Sequence, residues 1–500
     1  MKKLHWYDTI NINLFWLGLN IRNNAVGSIF TPYLVALFVS ASIRNTALGE
    51  LGTAGLVIAM LVQPAAGLLS DRSRSRFGRR RPFIFVGVLL DLVFLTMIAL
   101  STSYWMLLVA ILLQQFSANI SHGALQGLIP DLVPEDQRGL VSGIKSIMEL
   151  LPLIILPLTV ARMVGAGNLY GGVAATGGAL LVLMLLTMVL VKEKPLPKIA
   201  PIAQAVQTTP ADPPVETPAL EPVKPAMLRV LGMLAGFLAG GVAGLLSGGL
   251  VGGIAALIAS PMAGAAFARA LGFGLGGFIA IIVAVVVGVW SGAYATLSKA
   301  SIRQASFTWW VVNRLFYLAA ITSIRTFAPY FLMYAFGLTI EKAVVVANNL
   351  FMVVGIFLLI SALAGGWLSD RVGYRRLVGL SGIVAAVGTA VLLTTIWLPN
   401  MTLIYVAGII LGLATGLFNT TNWALGTTLV PSSESGRYLG ISNLAGAGAG
   451  MIGTGIGGYI IDALNAYLPG LGYFIIFGTF GVLFILSTYT MHWIKADQAA

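Results

Sequence analysis

Cysteine is absent from the 500 residues, which excludes disulfides, thiolate metal sites and thiol nucleophiles. Histidine is almost absent: His5, His122 and His492 are the three present, too scattered to suggest a metal cluster, so neither a metal nor another cofactor is expected. Charge is scarce, at 9% of residues against 58% hydrophobic ones, and so much apolar surface cannot be hidden inside soluble domains of ordinary size. No phosphate-cradling loop marks an ATP-driven pump, and no nucleophile-and-base constellation marks a covalent enzyme. A cleavable signal is also missing, because the apolar segment behind Lys2 and Lys3 is too long for a signal core and no small-residue cleavage site follows. The first helix is expected to be its own anchor.

What the chain does have is apolar segments of 20 or more residues from end to end. In hydrocarbon only helices satisfy their own backbone over such lengths, whereas a barrel needs shorter alternating strands. An all-α polytopic membrane protein follows. The formal net charge of +12 would favour nucleic acid in a soluble protein; here its distribution argues for a bilayer and no nucleic-acid partner. With helices at 12–39, 48–70, 83–101, 104–129, 139–165 and 169–191, the cluster Arg72, Arg74, Arg76, Arg79, Arg80 and Arg81, then Arg138 and the run Lys192, Lys194 and Lys198, all share a side with Lys2 and Lys3. The opposite loops hold little beyond Arg44 and Arg162. By the positive-inside rule that side is cytoplasmic, and both termini are expected there, in a cell membrane.

The chain repeats itself. "GLLSDRSRSRFGRRR" from Gly67 is echoed by "GWLSDRVGYRR" from Gly366, and 67 residues separate both Asp71 from Arg138 and Asp370 from Arg437. Each arginine follows a Leu-Val-Pro loop, and "SIFTPYL" near Pro32 is matched by "RTFAPYF" near Pro329. The second half supplies six more predicted helices, at 309–336, 342–367, 377–398, 401–427, 437–463 and 471–494. The reading is therefore a six-helix bundle over 1–191, a Pro-rich cytoplasmic linker over 192–226, a Gly-rich two-helix insertion over 227–300 and a second six-helix bundle over 301–500. With insertion helices at 228–259 and 264–297, the expected total is fourteen. In the first of them Gly232, Gly236, Gly240, Gly244, Gly248 and Gly252 recur every fourth residue. Such a smooth face suits close helix packing within the chain, or a homodimer contact.

The duplicated Gly-x-Leu-Ser-Asp-Arg followed by Gly-Arg-Arg resembles the loop motif of the major facilitator superfamily, and the longer first copy looks like that of plant sucrose/proton symporters and related glycoside-pentoside-hexuronide cation symporters. The resemblance covers both halves but not residues 192 to 300. It implies alternating access and a cytoplasmic latch, built here from Gly67, Asp71, Arg72, Gly78, Arg79, Arg80, Asp131 and Arg138 in the first half. Its counterpart in the second half is Asp370, Arg371, Gly373, Arg375, Glu434 and Arg437. Physically, Asp71 and Asp370 end apolar helices, where a carboxylate can meet a neighbouring helix start and pair with arginine.

Ionisable groups at mid-membrane depth cost several kcal/mol, or about that order, unless paired or wet; Arg22, Asp91, Glu149 and Arg325 qualify. Asp91, Glu149 and His122 are the candidates for proton coupling, with a fixed ion pair such as Lys145 with Glu149 as the structural alternative. Gln115, Asn119, His122 and Gln126 share one face of the fourth helix. Asn20 and Asn24 crowd the first helix, Asn419 and Asn422 the tenth, and in the superfamily such helices line the central cavity. Asn20, Arg22, Asn24, Asn119, His122, Gln126, Arg325, Asn419 and Asn422 are therefore the expected cavity residues, with Trp16, Trp309, Trp310 and Trp423 as aromatic platforms. Sucrose symporters carry a carboxylate and an arginine where this chain has Gln115 and Gln126, which weakens sucrose itself as the solute. The leading expectation is a secondary carrier moving a sugar or similar small solute with protons; the rivals are a proton-driven exporter of amphipathic compounds and a non-transporting sensor or assembly factor.

Overall fold

The computed structural model describes residues 4–75, 77–134, 137–191, 226–296, 305–429, 454–455 and 457–494. The first half runs α1 (Trp6–Ala25), α2 (Thr31–Phe38), α3 (Arg44–Arg72), α4 (Arg81–Ala99), α5 (Tyr104–Leu125), α6 (Leu128–Leu132), α7 (Arg138–Leu150), α8 (Pro152–Leu158), α9 (Val160–Gly165) and α10 (Leu169–Leu190). After α11 (Ala226–Thr296) the second half runs α12 (Ala305–Phe336), α13 (Ile340–Val372), α14 (Tyr374–Thr394), α15 (Met401–Thr428), α16 (Gly457–Asn465) and α17 (Leu471–Thr490). Among the described residues eleven helices are long and apolar enough to cross a membrane. Besides these, α1 joins α2 through a π-helical turn at Val26–Phe30, and α11 has a second arm beyond Gly264. The protein is a polytopic α-helical membrane protein.

Capping and glycine chemistry set the turns. Ser103, Asn168 and Asn400 accept from amides at the starts of α5, α10 and α15, satisfying donors that a helix start leaves orphaned. The two arginine loops reverse at equivalent glycines, Gly78 with φ +107° and Gly373 with φ +89°, a conformation that costs an L side chain strain. Both loops lie at one end of the molecule, hereafter the arginine end.

α11 is a hairpin broken at Gly264, where φ is +83°. Gly236, Gly240, Gly244, Gly248 and Gly252 are buried, and Cβ atoms added at Gly248 and Gly252 would fall 2.2 Å and 2.3 Å from the carbonyl oxygens of Gly276 and Gly272. At Gly248 and Gly252 the hairpin's own second arm thus occupies the smooth face, the close packing within the chain that was one of the two expectations for the stripe. That arm rests on the second half, with Phe273 against Tyr459 and Phe267 against Tyr467 at ring-centroid distances of 5.7 and 5.4 Å.

Candidate functional site

The deepest charges form one network. Arg22 on α1 and Asp91 on α4 lie 2.9 Å apart with side chains 1% exposed, Gln114 on α5 donates to the other carboxylate oxygen at 3.0 Å, and Arg22 donates to Asn23 at 2.5 Å. A paired and hydrogen-bonded carboxylate can stay charged in an apolar bundle. Beside this network is a polar cavity of about 150 Å³, lined in part by Arg22, Asn23, Gln114, Gln115, Thr326 and Thr454. It borrows residues from both halves.

A second cavity, about 280 Å³, belongs mainly to the second half. Its polar groups are Thr322, Arg325, Thr415 and Asn419; the rest of its wall is aliphatic and aromatic, including Phe331, Phe351 and Phe477. The guanidinium of Arg325 stands over the Phe351 ring at 5.2 Å and donates to Asn24 of α1. Arg325 and Asn24 thereby bridge the halves beside both cavities.

The asparagines predicted to line the cavity mostly turn back on their own helices. Asn20 donates to the Trp16 carbonyl, Asn24 to that of Asn20 and Asn119 to that of Gln115, at 2.9, 2.8 and 2.8 Å. Only their carbonyl ends face outward, and Arg325 takes that of Asn24. Asn422 departs from the expectation: it is fully buried, donates to Asn313 at 2.8 Å and accepts from Arg314 at 3.3 Å, while its backbone carbonyl accepts from Trp310. It fastens α15 to α12 and lines neither cavity. The tryptophans are similarly engaged, Trp309 stacking on Trp493 at 4.3 Å and Trp423 under Arg314 at 5.1 Å.

His122, Gln126 and Glu149 assemble around Trp16. The His122 ring meets Trp16 edge-on at 5.4 Å, Gln126 approaches His122 at 3.4 Å, Lys145 sits over Trp16 at 4.1 Å, and Lys145 pairs with Glu149 at 3.1 Å. Unlike Asp91, Glu149 is about one third exposed, at 34%. Both carboxylates proposed for proton coupling are therefore ion-paired, Asp91 deep in the bundle and Glu149 partly uncovered by protein.

At the arginine end, the described first-half residues of the motif form a network. Arg80 donates to Asp131 at 3.0 Å, to the Ser70 hydroxyl at 2.6 Å and to the Gly67 carbonyl at 3.4 Å, and pairs with Asp71; Arg79 also pairs with Asp131. The second copy differs. Arg375, equivalent to Arg80, instead donates to the carbonyls of Met491 and His492 at 2.8 and 3.2 Å, and Arg371 lies over Trp367 at 4.1 Å. Aligning the two Leu-Val-Pro loops puts Thr428 where the first half has Asp131, so the acid that would hold Arg375 is missing. The side chains of Arg72, Arg138 and Asp370, and all of Glu434 and Arg437, lie outside the described residues. Gln114 was overlooked in the sequence because it sits one residue off the Gln115 face; Asp462, discussed below, was legible as an acid near the end of a span.

The sequence profile described as "Major Facilitator Superfamily" matches residues 23–309 and 310–499. The general alpha-glucoside permease of Schizosaccharomyces pombe is 26% identical over 178 residues, covering 32% of this chain and 29% of that one. Sucrose transport protein SUT1 of Oryza sativa subsp. japonica is 40% identical over 63 residues, covering 13% and 11%. The chain thus matches less than a third of the length of these curated relatives. Among solved structures, a D-xylose-proton symporter superposes with a TM-score of 0.60 at 14% identity over 99% of this chain and 98% of that one. An auto-inhibited POT family peptide transporter does so with 0.63 at 12% identity over 99% and 98%.

Proposed function

Because the chain belongs to the major facilitator superfamily, and so is a transporter of a small-molecule solute rather than an enzyme, we propose that it carries a sugar or glycoside, coupled to protons, by alternating access. The observation that carries this is the pair of cavities, with Arg325 on the wall of one bonded to Asn24, the neighbour of Asn23 on the wall of the other. One wall offers hydrogen-bonding groups to hydroxyls and the other offers aromatic and aliphatic surface to the C–H faces of a ring. Relatives named for sucrose and alpha-glucoside transport point the same way. In this reading the arginine end is cytoplasmic in the cell membrane, as the positive charges require.

Glu149 is the coupling carboxylate. It is the less buried of the two candidate carboxylates, and neutralising it frees Lys145 beside His122 and Trp16. Asp91 serves instead as the fixed partner of Arg22. Counterflow of labelled disaccharides in proteoliposomes, with alkalinisation outside during uptake, tests the reading, and absence of flux for every sugar tried would overturn it. Glu149→Gln should keep counterflow and lose proton-driven accumulation, with stability changed by no more than about 0.5 kcal/mol because an exposed i, i+4 pair contributes little.

The aliphatic character of the second cavity favours one rival, an exporter of amphipathic compounds. That reading predicts resistance on expression, and efflux that fails in Glu149→Gln.

A further inference from the structure

Opposite the arginine end, the halves are tied by a buried acid. Asp462 of α16 is 8% exposed. It accepts from the Asn45 side chain at 2.8 Å, from the Thr46 backbone amide at 2.7 Å and from the Thr46 hydroxyl at 2.8 Å. Asn45 and Thr46 open α3, where amides lack intrahelical acceptors and the helix dipole favours an anion. The second half thus supplies the carboxylate that completes a helix start in the first.

Around this contact α3 and α16 touch almost backbone to backbone. A Cβ at Gly458 would fall 2.0 Å from the Asn45 carbonyl oxygen, and one at Gly49 2.1 Å from that of Thr454. Nearby, Tyr330 of the second half donates to the Pro32 carbonyl of the first at 2.8 Å.

We propose that Asp462 is the tie of an external gate, whose three hydrogen bonds must be given up before a solute outside can reach the central cavities. This rests on the alternating-access reading but not on the identity of the solute. It assigns to the non-arginine end a residue with the task that the family resemblance implies for the arginine motif at the other.

The absence of native cysteine allows a clean test. In right-side-out vesicles, a Thr326→Cys probe in the polar cavity is labelled with a membrane-impermeant maleimide. Adding Asp462→Ala should speed labelling about fivefold or more, the effect expected from losing the net contribution of at least one hydrogen bond to a charged group. A Cβ at Gly52 would lie 3.5 Å from that of Thr454, within disulfide range, so Gly52→Cys with Thr454→Cys should cross-link on oxidation and block the same labelling reversibly. The cross-link measurement keeps Asp462 intact and does not depend on the alanine variant folding. Labelling at the parental rate in a monodisperse Asp462→Ala protein, or undiminished after cross-linking, would overturn the gate. Neither assay needs transport, so loss of the gate and loss of the sugar reading remain distinguishable: faster labelling without any sugar flux would leave the gate standing.

Discussion

Asp91 and Arg22 are 69 positions apart in sequence and 2.9 Å apart in the fold. Removing one charge strands the other in an apolar bundle, which costs about 3–5 kcal/mol, whereas removing both avoids that penalty. Asp91→Asn should therefore lower the apparent Tm markedly, and Arg22→Gln with Asp91→Asn should recover much of the loss; a thermal-shift series reads both. If the single variant is as stable as the parent, Asp91 is not a structural partner and returns as a coupling candidate. That both residues were special was legible from their depth in apolar spans. That they were special to each other was not, because pairing depends on how α1 and α4 are rotated against one another. The asparagines show the same limit: the sequence places them on one face, yet the choice between solvent and the carbonyl four residues back is made by local geometry. Asn422 shows it again, its buried bond to Asn313 depending on helix rotations that periodicity does not specify.

The spans themselves were the most readable elements, because length and hydropathy dictate them directly. Their breaks were less so, the π-helical turn at Val26–Phe30 having no proline of its own. It places Gly27 and Val26 on the polar cavity, in keeping with the tendency of such turns to occur at functional sites. The glycine stripe was visible, but its partner was not, since the same smooth face suits an intramolecular arm or a second copy. Gly252→Leu must push against the Gly272 carbonyl rather than a yielding side chain, so it should separate the arms at a cost of about 1–3 kcal/mol. Gly253→Leu meets nothing within 4 Å and should be neutral. Limited proteolysis near Gly264 separates them: accelerated cleavage in the first variant alone is expected, and equal cleavage in both would show that the arms do not depend on this contact.

Among the described residues the hydrogen bonds joining the halves lie at mid-depth, as with Arg325 and Asn24, or toward the end away from the arginine loops, as with Asp462 and Thr46. The arginine end shows, among the described residues, bonds of Arg80 to Asp131 and Ser70 of its own half. On the alternating-access reading proposed above, these ties hold the end away from the arginine loops, and that bears on the role of the hairpin. Among the described residues none of α11 lines either cavity, yet its second arm leans on α16, the helix that bears Asp462. Deleting 226–296 while keeping 192–225 and 297–304 leaves a tether of 42 residues, able to span at most roughly 140 Å and so to rejoin the halves without strain. Uptake should survive, because the cavity walls are untouched, while external labelling of Thr326→Cys should quicken as the support behind α16 is lost. A folded deletion protein without flux would instead place the hairpin within the transport machinery; unchanged labelling would show that α16 holds the gate without it.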